Sequence, residues 1–255
     1  MIGMIDAIEG SIIMTPDIVE GISSVYDLRV PKKWCYDPTG VEISWLTPSL
    51  SAWIKGLLDR HYQLNGWISK GDRPPSFWLT GFFNPQGFLT AMKQEVTRQN
   101  KAKQWSLDDV DYHSDVLKEV IQTDDGRVDR NLPSPPDGVL IHGLFLEGAS
   151  WDRQGRKLEP SNPKELFCTF PVMHVTAVSG SAGPGPGMKG KPDDKYAEKG
   201  MYDCPVYKYP KRTDKYLIFR VKLRCDGGQQ ASMSRTMNAS MVWKLQGVAL
   251  LCSKE

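Results

Sequence analysis

The 255-residue sequence has little that would bind a metal, cross a membrane or attract a polyanion. Its five cysteines (Cys35, Cys168, Cys204, Cys225 and Cys252) are scattered, with no Cys-x-x-Cys pair. An odd, dispersed set fits reduced thiols better than a disulfide framework or a zinc site. Cys168, Cys204 and Cys252 sit in apolar, strand-like contexts, where a free cysteine behaves as a small hydrophobe. The four histidines, His61, His113, His142 and His174, are far apart and show no metal-ligand spacing. No apolar run approaches the roughly 20 residues needed to span a bilayer. Lysine and arginine (32) nearly balance aspartate and glutamate (30), so the net charge of +2 leaves no nucleic-acid footprint. Residues 1–14 lack a basic start and a small-residue cleavage site, so no signal peptide is expected and the chain reads as cytosolic. No internal repeat is visible.

What is present is an ordinary globular composition, 40% hydrophobic, on a chain long enough for one large domain or two small ones. The first half carries helical signals. Thr15-Pro16-Asp17 reads as a helix start, with a threonine cap and proline at the first helical position, where its missing N–H costs nothing. Pro48 opens a longer segment in which Leu50, Trp53, Ile54, Leu57, Leu58, Leu64 and Ile68 form one apolar stripe, with Lys55, Asp59 and Arg60 on the wet side. Asn84-Pro85 opens a third helix, with Phe88, Leu89, Met92 and Val96 facing inward. After about residue 105 the pattern shortens into apolar runs bounded by turn residues: 138–146, 172–178, 205–207, 216–223 and 248–251, with a further strand near Val116. The expected fold is α+β: a helical subdomain over 1–122, a linker over 123–136 where prolines gather, and a small antiparallel β-barrel of about six strands over 137–255.

Motifs with chemical meaning are incomplete. Gly185-Pro186-Gly187-Met188-Lys189-Gly190-Lys191 matches G-x-x-x-x-G-K, but Pro192 stands where a phosphate-binding loop needs a serine or threonine hydroxyl. Asp193 and Asp194 follow where the phosphate would sit, so a Gly/Pro-rich connecting loop is the better reading. Gly148-Ala149-Ser150-Trp151-Asp152 is similar to a nucleophile elbow without its final glycine. Glu147 and Asp152 flank a turn near Arg153, Arg156 and Lys157, which favours ion-pairing or turn-stabilising roles over acid/base work. Trp151, a large aromatic beside that turn, is expected to pack over strand ends while Asp152 accepts from turn amides. The basic run over 29–33 is interrupted by Val30-Pro31 and reads as a solvated loop.

Four blocks say more than these motifs do. They are Gly143-Leu144-Phe145-Leu146-Glu147-Gly148-Ala149-Ser150-Trp151-Asp152, Ser161-Asn162-Pro163-Lys164-Glu165-Leu166-Phe167, Tyr202-Asp203-Cys204-Pro205-Val206-Tyr207-Lys208 and Gly247-Val248-Ala249-Leu250-Leu251-Cys252. Ahead of them come Gly10-Ser11-Ile12-Ile13-Met14, Val30-Pro31-Lys32-Lys33-Trp34, Leu50-Ser51-Ala52-Trp53-Ile54, Pro75-Ser76-Phe77-Trp78-Leu79-Thr80-Gly81-Phe82-Phe83 and Gln86-Gly87-Phe88-Leu89-Thr90. In this order, over nearly the whole chain, they resemble the C-terminal domain of dynein heavy chains, particularly the axonemal ones. Many axonemal members carry a "GHSTN"-type turn after the third block. Here the shorter link Pro210-Lys211-Arg212-Thr213-Asp214-Lys215-Tyr216 looks more like outer-arm dyneins.

The resemblance implies a non-catalytic module at the tail end of a much larger polypeptide, with Met1 not its native start. Such a domain would lie against the AAA+ ring of the same heavy chain, stabilise it and influence how nucleotide-driven changes pass around it. Microtubules and dynein light and intermediate chains would be reached only through the parent protein. No cofactor, metal, nucleic acid or membrane partner is expected, nor any catalytic residue. The location implied is cytoplasm and cytoskeleton, in the axoneme of a cilium or flagellum. Met4, Ile5, Ile8 and Ile12 offer more apolar surface than a short terminal helix needs and form the candidate ring-docking surface; Trp151, Asp152 and Glu147 are structural candidates. Two alternatives stay open: a nucleotide- or small-molecule-binding enzyme using the 180–192 loop, and an independent scaffold binding peptide on its barrel surface.

Overall fold

The computed structural model describes residues 1–36, 47, 49–71, 74–117, 135–179, 200–225 and 239–253. Nearly all of the expected 123–136 linker, and the whole 180–192 loop with Lys191, lie outside the described residues. The chain divides into two compact units, Met1–Asn65 and Gly66–Lys254.

The first unit holds α1 (Ile2–Ile8), α2 (Pro16–Tyr26), a 3-10 turn (Lys32–Cys35) and most of α3 (Leu50–Lys70), within which the division falls. The Thr15 hydroxyl oxygen accepts from Ile18 N at 3.4 Å and Pro16 occupies the first helical position, as the sequence predicts. A Cβ placed on Gly21 would come within 2.2 Å of Met4 Cε, so α2 uses a glycine to let α1 lie close. The Trp34 and Trp53 rings meet at 5.1 Å. The apolar stripe expected along α3 is buried only at its start. Leu50 and Trp53 are buried, whereas Leu57, Leu58 (60% exposed) and Ile68 are exposed. Arg60, expected on the wet side, is instead buried at 6% exposure, with Nη1 donating to Gly56 O at 3.0 Å. The aliphatic stem of an arginine packs readily against apolar surface.

The second unit holds α4 (Pro85–Gln99), α5 (Ala239–Leu245) and eleven strands: β1 (Ser76–Trp78), β2 (Val110–Val116), β3 (Gly138–His142), β4 (Phe145–Glu147), β5 (Ser150–Asp152), β6 (Lys157–Glu159), β7 (Phe167–Thr169), β8 (Met173–Ser179), β9 (Met201–Tyr207), β10 (Leu217–Arg224) and β11 (Ala249–Leu251). Asn84 caps α4, accepting from Gly87 N at 2.9 Å, and Leu89, Met92 and Val96 are buried as expected, with Phe88 packed against the core. Helix α4 lies against β2, β3, β8 and β10.

The α+β class holds, but the expected closed antiparallel barrel of about six strands does not. The described strands form three sheets, β1-β3-β8-β2, β10-β9-β11-β4-β7 and β5-β6. Two neighbouring pairs, β1–β3 and β9–β11, run parallel. A local alternating pattern identifies a strand but not its non-local partner, and parallel pairing needs a long crossover that no turn signal announces. The described strands outnumber the expected six because β1, β5, β6 and β7, three residues each, are too short to display a period, and the expected 138–146 run divides into β3 and β4. Strands β1 and β2, both before residue 122, take the two edges of the sheet whose centre is β3 and β8. One buried cluster draws on both larger sheets and on α4, including Phe77, Leu89, Ile141, Leu146, Val206 and Leu250. Phe82 stacks on Phe88 at 4.2 Å and Phe77 lies 4.8 Å from Phe88.

Candidate functional site

Helix α1 buries Ala7, half-buries Gly3, Met4 and Asp6, and leaves its isoleucines out. Ala7 is buried and Met4 is half-buried against Gly21, while Ile5 (53% exposed) and Ile8 (66%) face solvent together with Ile2. Positions 2, 5 and 8 run along one exposed side of the helix, adjoining the side that carries Met4 and Ala7. Ile12 (44%), Ile13 and Met14, beyond the helix, are exposed as well. Among the described residues of the first unit, Ala7, Pro31, Leu50 and Trp53 are the buried apolar side chains, against Val19, Leu28, Leu57 and Leu58 and the α1 isoleucines left exposed. Of the residues expected to form the docking surface, Ile5, Ile8 and Ile12 are exposed, while Met4 packs against Gly21 of α2.

The four blocks that carry the resemblance converge in space. The 143–152 block supplies β4 and β5, the 161–167 block leads into β7, the 202–208 block is β9 and the 247–252 block is β11, so their sheet strands are consecutive in the order β9-β11-β4-β7. Two glycines shape the first block. Gly143 (φ +84°) and Gly148 (φ +78°) hold left-handed backbone on either side of β4, which L side chains rarely adopt. Thr80 Oγ1 lies 3.1 Å from Gly143 O and 2.7 Å from Cys252 O, tying the start of this block to the end of β11. Tyr202 donates its hydroxyl to Val248 O at 2.6 Å, joining β9 to the residue before β11.

The structural candidates sit at the far end of β4. Trp151 pairs across to Leu158 in the β5–β6 hairpin, and its ring lies 5.1 Å from that of Phe170, half-buried against the core. Asp152 Oδ1 accepts from Gln154 N at 2.9 Å, the turn contact foreseen. Glu147 pairs with Arg212, whose guanidinium also donates to Gly247 O, so one side chain from the β9–β10 connection clasps β4 and the turn before β11. Arg156, expected near Glu147 and Asp152, instead reaches Asp115 and Val116 O of β2. Neither Arg212 nor Thr80 was singled out by sequence reasoning. Both act over long separations along the polypeptide that local pattern does not encode, although Arg212 lies in the distinctive 210–216 link.

Burial shifts the titration of three side chains, Cys204, Cys252 and His142, towards their neutral forms. Burial pushes the Cys252 thiol up to about 12 and raises the Cys204 thiol further, so neither is a nucleophile near neutral pH. Burial also holds His142 down at about 4, and among the described residues its buried Nδ1 has no hydrogen-bond partner. Among the described residues, no group of three or more His, Cys, Asp or Glu side chains could hold a metal ion, and no helix is long and apolar enough to cross a membrane.

A sequence profile for the C-terminal domain of the dynein heavy chain matches residues 2–252. The protein belongs to this family of dynein C-terminal domains. It is 41% identical over 246 residues to mouse dynein axonemal heavy chain 8, covering 96% of this chain and 4% of that protein. The human dynein axonemal heavy chain 8 is likewise 41% identical over 247 residues, covering 96% of this chain and 5% of that protein. The gamma chain of the flagellar outer arm of Chlamydomonas reinhardtii is 35% identical over 251 residues, covering 97% of this chain and 5% of that protein. This dynein C-terminal domain thus spans about one-twentieth of the length of the relatives it matches.

Proposed function

We propose that this domain is a non-catalytic docking module of an axonemal, outer-arm-like dynein heavy chain, working in the axoneme of a cilium or flagellum. It lies against the AAA+ ring of its own heavy chain and modulates the motor, while microtubules and light and intermediate chains engage other parts of the parent protein. The observation that carries this reading is the exposed apolar face of Ile5, Ile8 and Ile12 on a unit that buries few apolar side chains of its own. Exposed apolar side chains that group into a large patch mark interaction sites. The names of the relatives, axonemal and flagellar outer-arm heavy chains, support the motor context. The test is binding of this domain to a separately expressed AAA+ ring, with Ile5→Ser/Ile8→Ser as the variant. Binding should be lost, as should weak self-association of the isolated domain, while stability changes by no more than about 0.5 kcal/mol, as for surface substitutions. A double variant that binds normally, or one that unfolds because α1 belongs to an internal core, refutes the docking reading.

A further inference from the structure

Helix α1 is held to α2 through a side chain that oxidation can change. A Cβ built on Gly21 would overlap Met4 Cε and stand 3.6 Å from Met4 Sδ. Apart from the backbone of α2 and the chain neighbours of Gly21, Met4 supplies the only described atoms within 4 Å of that point. The notch that Gly21 opens in α2 is thus filled by one thioether. Ala7, the buried residue of α1, offers a single methyl, so Met4 is the largest apolar side chain that α1 withdraws from solvent. Among the described residues, Met92 and Met173 are enclosed in the core, whereas Met1, Met14 and Met241 are exposed. Met201 is half-buried at the first residue of β9, in the second unit. Met4 is both reachable from solvent and engaged in packing between two helices.

We propose that Met4 is a redox-sensitive latch: oxidation of its thioether by a peroxide releases α1 from α2. Met4 Sδ attacks one peroxide oxygen, the O–O bond breaks and an S–O bond forms. Sulfur is oxidised by two electrons. The proton on the transferred oxygen passes to the departing hydroxide, and hydrogen peroxide leaves as water. The sulfoxide is polar and chiral where the thioether was flexible and apolar. Backbone amides around Gly21 already bond within α2, so an S=O group kept in the notch would be desolvated without a donor. It turns to water instead, and α1 loses its seat. Methionine sulfoxide reductases reverse the step, which makes the latch resettable. Because α1 also carries Ile2, Ile5 and Ile8, release disperses that exposed face. This last consequence rests on the docking reading; the latch itself does not.

The test is amide hydrogen exchange of the whole protein, read by mass spectrometry over residues 2–9 at short labelling times, before and after hydrogen peroxide. Exchange over α1 should accelerate about tenfold on oxidation and recover after treatment with the reductase. Met4→Gln, polar and unable to be reset, should exchange fast without peroxide. Met4→Leu should stay within about threefold of the unaltered protein and ignore peroxide, since leucine and methionine are of similar volume. Met14→Leu removes the exposed neighbour and should keep the full peroxide effect. If Met4→Leu loosens α1 by itself, partly oxidised Met14→Leu protein gives the same reading. There the peptide carrying oxygen on Met4 should exchange about tenfold faster than its unoxidised counterpart. Equal exchange of the two peptides would overturn the proposal. A peroxide effect that persists in Met4→Leu would assign it to another group, such as half-buried Cys35, and overturn it as well. No measurement here involves the AAA+ ring, so failure of the latch and failure of docking are distinguishable.

Discussion

Replacing Trp151 by alanine removes the largest side chain of the β5–β6 hairpin. Full truncation of a buried large aromatic costs about 3–5 kcal/mol. Trp151 is only half-buried, so the lower part of its ring surface counts, together with the tilted contact to Phe170 at 5.1 Å. An aromatic pair of that geometry contributes about 0.5–1.5 kcal/mol beyond area burial. The expected loss is therefore about 2–3 kcal/mol, less than for an enclosed tryptophan. For a cooperative unit of this size, each kcal/mol moves the melting temperature by about 2–4 °C, so a drop of about 5–10 °C is expected. Chemical denaturation of the whole protein, followed by circular dichroism, measures the free energy independently of the lost fluorophore. Trp151→Phe should recover more than half of the loss by keeping the contact with Phe170. A Trp151→Ala midpoint within error of the unaltered protein would place the ring on the surface and refute the argument, as would a Trp151→Phe variant no better than alanine.

Acid should destabilise the fold through His142. The unfolded imidazole takes up its proton near pH 6.5, the folded one only near about 4, so the unfolded state binds more protons between those values and stability falls as pH drops through that window. The loss should reach up to about 3 kcal/mol at the acid end, and His142→Phe should flatten the slope measured by denaturation at a series of pH values. Arg212→Ala should cost about 1–2 kcal/mol by releasing both Glu147 and Gly247 O, with Arg212→Lys recovering only part because one ammonium does not reproduce the fork. The purified domain should not turn over ATP in a phosphate-release assay; turnover that disappears in Lys191→Ala would show the 180–192 loop to be a working phosphate cradle.

Much of the helical part was legible in the sequence because helix starts are local. Thr15-Pro16 and Asn84-Pro85 carry their caps within three residues, and the i, i+3, i+4 spacing of Leu89, Met92 and Val96 marks a buried face without knowledge of its partner. The exposed face of α1 was legible too, as an excess of isoleucines over what one short helix can bury. The order of the four blocks carried the family, since it depends only on sequence. What the tertiary structure alone decided was pairing and burial at a distance. Ser76–Trp78 becomes a strand because β3 lies beside it, and β9 joins β11 in parallel although Val206 and Leu250, which stand side by side, are far apart in sequence. Arg60 is buried despite its charge, and Glu147 finds Arg212, 65 residues away, rather than its neighbours Arg153 and Arg156. Periodicity reports which face of an element is apolar; it holds no information about which other element covers that face, and that choice is made by non-local packing.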